Sequence, residues 1–210
     1  MDIQVDILLG FAISVFALAI SPGPDNIFVL LQSIAHGVKS GLLVVLGLMT
    51  GCLVHTTLVA FGVSALIKES DLIFLVIKIF GASYLFFLAF RVFKSDATIH
   101  LNSSTVPVKS DKALFKQGFM MNVLNPKVSI FFLAFFPGFL FSQDLNKITQ
   151  FYILGLGFIV ISFIVFGLIA LLSGRISKYV KEHKKIGGFL KWLQIIVFIG
   201  IGIFILLSEK

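Results

Sequence analysis

Apolar runs long enough to cross a lipid bilayer, with most of the charges in the stretches between them, constrain this chain more than any other feature. A bilayer core about 30 Å thick needs roughly 20 apolar residues in a helix. Inside it every backbone N–H and C=O must be satisfied within the segment, so helices are the expected structure. Only 13% of the 210 residues are charged, and 58% are apolar. A soluble domain carries roughly 25% charged residues, so a single membrane domain over 1–210 is expected.

Six spans can be marked: Ile3–Ile34, Gly41–Ile67, Asp71–Val92, Phe115–Phe141, Ile148–Leu172 and Phe189–Leu207. The expected fold class is an all-α membrane protein. The first and fourth spans are interrupted. Ser21-Pro22-Gly23-Pro24 cannot continue a regular helix, and Asn125-Pro126 breaks the fourth span. Residues 95–112 are polar and read as a linker between a first three-helix repeat, 3–94, and a second, 113–207.

Charge placement sets an expected orientation. Lys39, Arg91, Lys94, Lys109, Lys112, Lys116, Arg175, Lys178, Lys181, Lys184, Lys185 and Lys191 fall on one side, against Lys68, Lys147 and Lys210 on the other. The positive-inside rule puts the first group in the cytoplasm and both termini outside. This also accounts for the net charge of +7 without a nucleic-acid partner. With three spans per half, the second half is inserted upside down, the inverted-repeat plan of many secondary transporters. Ala17-Leu18-Ala19 imitates a signal-peptide cleavage site, but Asp2 and Asp6 precede it where basic residues belong, so cleavage is not expected.

The breaks concentrate the chemistry. About 14 residues, Ile7 to Ile20, lead into the first, or roughly 21 Å. About 9 residues, Phe115 to Val123, lead into the second from the opposite side, or roughly 14 Å. The two levels nearly coincide. The prolines free backbone carbonyls, and the half-helix restarting near Asp25 or Asn26 offers N–H groups and a positive dipole end to an anion. Asp25 would suit an ammonium or a proton, since a carboxylate at this depth costs about 2.5–3.5 kcal/mol on insertion scales. Asn125 and Pro126 suit the cap and first residue of the next half-helix. Lys127 is a buried cation for which Asp25 is an expected partner, and Asn122 lies on roughly the same face as Asn125. A Pro kink with Asp25 capping the helix, or a structural ion pair with Lys127, is the alternative, and the functional reading is favoured over it.

Other polar residues divide similarly. Gly47, Gly51 and His55 share one face of span two, where the glycines suggest a close neighbour. His55 is a candidate proton relay or a packed histidine. Lys78 is a supporting candidate that would more simply snorkel to the surface, and Tyr84 would bind substrate or pack. Gly81, Gly200 and Gly202 read as packing. No metal cluster is expected, and the single Cys52 excludes a CxxC redox pair. No GxxxxGK[ST] sequence occurs, so a P-loop ATPase within this chain is not expected. No cofactor is expected, and homo-oligomerisation is left open. Export of another solute such as a metal cation and a non-transporting membrane subunit are the alternatives; an enzyme is not expected.

Ser21-Pro22-Gly23-Pro24-Asp25-Asn26 with Val29 resembles the PGP signature of the LysE/RhtB family of amino acid exporters. Gln117-Gly118-Phe119, Asn122, Asn125-Pro126-Lys127 and Phe131-Phe132 resemble its second-half motif, and Gly51…His55 and Lys78-x-x-Gly81-Ala82-x-Tyr84-Leu85 in the first half resemble further family patterns. Ala89 departs from the pattern, where a Gly is expected. The resemblance covers nearly the whole chain. It implies export of amino acids or derivatives across the bacterial inner membrane, driven by the proton-motive force. With Asp25 the only acid away from the span ends, a neutral zwitterion is the favoured substrate.

Overall fold

The computed structural model describes residues 4–63, 71–96, 106–183 and 185–207. Among these residues the chain is all-helical. In order the helices are α1 (Val5–Ile20), α2 (Pro24–His36), α3 (Val38–Leu58), α4 (Asp71–Lys94), α5 (Asp111–Val123), α6 (Pro126–Ile130), α7 (Lys147–Leu171), α8 (Ser173–Glu182) and α9 (Ile186–Leu207). Four helical stretches are long and apolar enough to cross a membrane: Val38–Gly62, Leu75–Lys94, Lys147–Leu171 and Ile186–Leu207. Val5–Ile20 with Pro24–His36 and Asp111–Val123 with Pro126–Phe139 form two bent pairs, at 58° and 48°. Six spans result if each pair counts as one. The end of the second expected span, 64–67, and linker residues 97–105 lie outside the described residues, as do His100, Lys68, Lys184 and Lys210.

The bends form where the residues forbid helix. α1 closes with the Ser21 N–H donating to the Ala17 carbonyl at 3.1 Å. Ser21 and Gly23 are then extended, and Pro24 opens α2. Proline suits that first position because its missing N–H would have had no helical partner. At the second bend Asn125 is extended and its side chain accepts from the Lys127 N–H at 3.0 Å. Pro126 again holds the first position.

Three boundaries differ from the sequence reading. α5 begins at Asp111 rather than Phe115, because the Ser110 hydroxyl accepts from the Ala113 N–H and starts the helix early. Beyond α6 the chain winds into a wider π-type turn, Phe131–Phe135, and then a tighter 3₁₀ turn, Phe136–Phe139. Pro137 has no N–H to continue an α-helix, and packing of the Phe rings fixes the altered winding. Residues expected to be loop after the fifth span form α8. Its Ser173 and Ser177 face inward, and Arg175, Lys178 and Lys181 lie outward.

The close neighbour of the span-two glycines is α5. A side chain on Gly47 would strike the Phe115 backbone carbonyl, and one on Gly118 would strike that of Val44. The two backbones therefore touch directly, as small residues permit. Gly81 abuts Ala134 and Gly202 abuts Phe86, as packing glycines should, whereas Gly200 faces open space. Gly37, with φ of 86°, makes the turn between α2 and α3 that a side chain would disfavour.

The ends of the bundle differ in charge. Lys39 pairs with Asp111 at 2.6 Å, and His36 Nε2 lies 3.0 Å from the Val106 carbonyl. Lys191 donates to the Ser95 carbonyl at 2.8 Å. These contacts gather the ends of α2 and α4 and the starts of α3, α5 and α9 at one end, and α8 packs on α2. The opposite end carries Lys147, and there Gln150 accepts from the Phe141 N–H at 2.7 Å while the Gln4 N–H donates to the Phe141 carbonyl at 3.0 Å. A core rich in Phe fills the interior between the breaks and that second end.

Candidate functional site

The two bends meet. Asn125 Nδ2 donates to Asp25 Oδ2 at 2.8 Å, joining residues 100 positions apart. Lys127 Nζ lies 3.4 Å from the Leu18 carbonyl and 3.5 Å from that of Ser21. Both carbonyls belong to the stretch that Pro22 and Pro24 strip of helical donors. Across the first break, Asn26 Nδ2 donates to the Ala19 carbonyl at 2.7 Å. Lys127 also sits 5.1 Å from the centroid of the Phe198 ring, a cation–π geometry.

The expected direct pairing of Asp25 with Lys127 takes a different form. The ammonium turns to carbonyl oxygens, and Asn125 reaches the carboxylate in its place. Carbonyls orphaned at a break are costly to leave unpaired in a medium without water, so a nearby cation is drawn to them.

A cavity of about 40 Å³ lies at the junction. It touches Asp25, Asn26, Gly23, Pro24, Asn122, Asn125 and Lys127, closed over by Leu48, Met49, Cys52, Phe158, Ser162 and Phe166. That volume is about the share of one water in the liquid. The space is narrow and only partly enclosed. Asn122 donates to Cys52 Sγ at 3.3 Å, while its Oδ1 is buried with no protein partner, as are the hydroxyls of Ser21 and Ser162. Buried polar atoms are normally satisfied, and these are acceptors and donors a small polar solute or water could use.

A second, wider chamber of about 330 Å³, open along much of its boundary, lies on the other side of the breaks. It shares Gly23, Pro24, Asn125 and Lys127 with the first and adds Pro126 with Tyr84, Leu88, Arg91, Val92 and Ser95 of the α4 end, and Gln194 and Phe198 of α9. Thus Tyr84 stands in this chamber's wall and not in the central cavity. His55 lies behind the site. Its Nε2 is 3.2 Å from the Asn122 carbonyl and its ring packs 5.4 Å from Phe132. Lys78 is buried, at 8% exposure, and it borders neither chamber. Among the described residues no group of three His, Cys, Asp or Glu could hold a metal ion.

The sequence reading passed over Ser162, Phe158 and Phe166, as well as Arg91 and Gln194. Ser162 had a signal: it is the one polar side chain between Ile153 and Leu172. Arg91 was absorbed into the count of topology-setting charges.

A family model for LysE type translocators matches residues 16–209. The chain belongs to this LysE family. It is thereby a translocator and not an enzyme. Its curated relatives are named as efflux proteins. The leucine efflux protein of Klebsiella pneumoniae is 32% identical over 195 residues, 91% of each chain. The homoserine/homoserine lactone efflux protein of Salmonella typhimurium is 33% identical over 168 residues, 80% of this chain and 81% of that one. A leucine efflux protein of Enterobacter sp. is 28% identical over 190 residues, 90% of both. No solved structure matches the LysE-family chain significantly.

Proposed function

We propose that the protein exports amino acids or close derivatives across the bacterial inner membrane, with the substrate held between the two breaks. The observation that carries this reading is the meeting of the breaks around a buried acid, with Asn125 bonded to Asp25 and Lys127 beside the orphaned carbonyls. An α-amino acid carries both charges, and the site offers both. Asp25 takes the ammonium or a coupling proton. The N–H groups opening α2 and the Lys127 ammonium take the carboxylate. The relatives' names, leucine and homoserine or its lactone, support a small and mostly neutral substrate.

The proposed energy source is the proton-motive force. A buried acid between the two breaks is a residue that a proton and a substrate ammonium can occupy in turn. The proposed architecture is two inverted three-helix repeats, 3–94 and 113–207, with the basic end cytoplasmic and both termini outside. Partner exchange supports it: α3 packs on α5 much as α7 packs on α1, while α4 pairs with α9 and α3 with α7.

The test is reconstitution in liposomes with a panel of radiolabelled amino acids. At least one should be carried, and collapsing the proton gradient should stop its accumulation. Concentrative transport that survives the collapse overturns the coupling, and a panel without any carried member overturns the substrate class. Orientation is checked by cysteine labelling from outside intact cells, on a background with Cys52 replaced. Position 144 should react and position 104 should not.

A further inference from the structure

We infer that the wide chamber beside the breaks is a carboxylate-docking antechamber, in which the Arg91 guanidinium takes the substrate's carboxylate before the substrate reaches Asp25; this rests on the exporter reading above. Three observations carry it. The first is size. At about 330 Å³ the chamber sits at the small end of the roughly 300–1,000 Å³ range of small-molecule pockets, whereas the central cavity does not hold an amino acid.

The second is charge. The chamber wall contains two cations, Arg91 and Lys127, and no carboxylate. Among the described residues no Asp or Glu lies within ion-pair distance of Arg91; the ion pairs there are Lys39 with Asp111 and Lys178 with Glu182. Its guanidinium instead lies 5.9 Å from the Phe87 ring. A guanidinium fork matches a carboxylate with two parallel hydrogen bonds, which a point charge cannot reproduce. Tyr84 and Gln194 add a hydroxyl and an amide to the same wall.

The third is position. The chamber lies between the basic end of the bundle and the breaks, and it shares Gly23, Pro24, Asn125 and Lys127 with the central cavity. A carboxylate on Arg91 can pass to Lys127 without leaving the chamber. The ammonium then points at the wall behind which Asp25 waits.

A topology-setting role alone would ask only for positive charge at position 91, and lysine would serve it equally well. That separates the two accounts. Equilibrium dialysis of the purified full chain against each of the twenty radiolabelled L-amino acids identifies the tightest ligand, and its carboxamide serves as the counter-probe. The wild type should prefer acid to amide by at least about tenfold. Arg91→Gln should weaken the acid by about tenfold and leave the amide unchanged, so that the preference collapses. Arg91→Lys should fall between the two. Asp25→Asn, by contrast, should weaken acid and amide together, because both keep the ammonium. Arg91 is exposed, so the melting temperature of Arg91→Gln should match the wild type. An unchanged acid-to-amide ratio in Arg91→Gln, or an Arg91→Lys protein equal to wild type, overturns the antechamber and leaves the exporter reading standing. If neither an amino acid nor a derivative such as homoserine binds the wild type, the exporter reading fails and takes this inference with it.

Discussion

The first and second breaks use one backbone device to opposite ends. Each interrupts a span with a proline that opens the following half-helix, Pro24 in one and Pro126 in the other. The first leaves carbonyls and a carboxylate exposed to the interior: Leu18, Ala19, Ser21 and Asp25. The second supplies donors, the Asn125 amide and the Lys127 ammonium. Every cross-break hydrogen bond runs from the second to the first. The second break is also tied within itself, since the Asn125 oxygen caps α6 while its nitrogen holds Asp25. The first relies on Asn26 and otherwise on its neighbour. The difference means that the acceptor-rich break is held open by the donor-rich one, and that a solute carrying its own donors can replace those bonds.

Removing the acid is the sharpest way to break this comparison. Asp25→Asn should bring proteoliposome export down to background while the protein still inserts and melts near the wild-type temperature. Normal transport by this variant would place the site elsewhere. Lys127→Met should be milder, with export reduced by about tenfold, about 1.4 kcal/mol, since the carbonyls it serves lose one donor and the charge. If Lys127→Met were the more damaging of the two, the assignment of roles would be reversed.

Asn125→Ala tests whether one residue truly serves both breaks. It removes a helix cap worth about 1 kcal/mol and a bond to a carboxylate worth about 1.5–3 kcal/mol. Asn26→Ala removes a single neutral bond, worth about 1 kcal/mol. Thermal melting in detergent should rank Asn125→Ala clearly below Asn26→Ala; equal values would mean that the link to Asp25 contributes nothing. The smallest effect belongs to Lys39→Ala. Its exposed pair with Asp111 is worth about 0–1 kcal/mol, so both melting and export should stay near wild type, and a large loss would show that the basic end governs the breaks.

Much of this was legible in the chain itself. Prolines and a glycine within an apolar run announce an interrupted span whatever surrounds them, so both breaks could be placed to within a few residues. Gly47 and Gly51 announced a close neighbour but not its identity. That α5 is the neighbour depends on Gly118, a contact across some 70 positions that no local pattern encodes. The bond from Asn125 to Asp25 was hidden for the same reason, and charge alone suggested Lys127 in its place. Counting charges ignored the orphaned carbonyls, which have no signature in a list of side chains. The amphipathic α8 was read as loop because its basic residues were counted for topology and not tested for spacing. The unusual winding from Phe131 to Phe139 had one visible cause in Pro137; the rest comes from how large rings fit together.

Those rings carry an electrical consequence. Phe131, Phe132, Phe135, Phe136 and Phe139 are all at most 1% exposed and stack on one another and on Phe11, Phe158 and Phe204. They occupy the bundle between the breaks and the end away from the basic loops. A bacterial membrane stores about 2.3 kcal/mol per elementary charge for each 100 mV, and a single file of water through a carrier would discharge it. Benzene rings in contact offer such a file neither space nor hydrogen-bond partners. On the proposed export reading, the Phe131–Phe139 segment would serve as an insulator in series with the site.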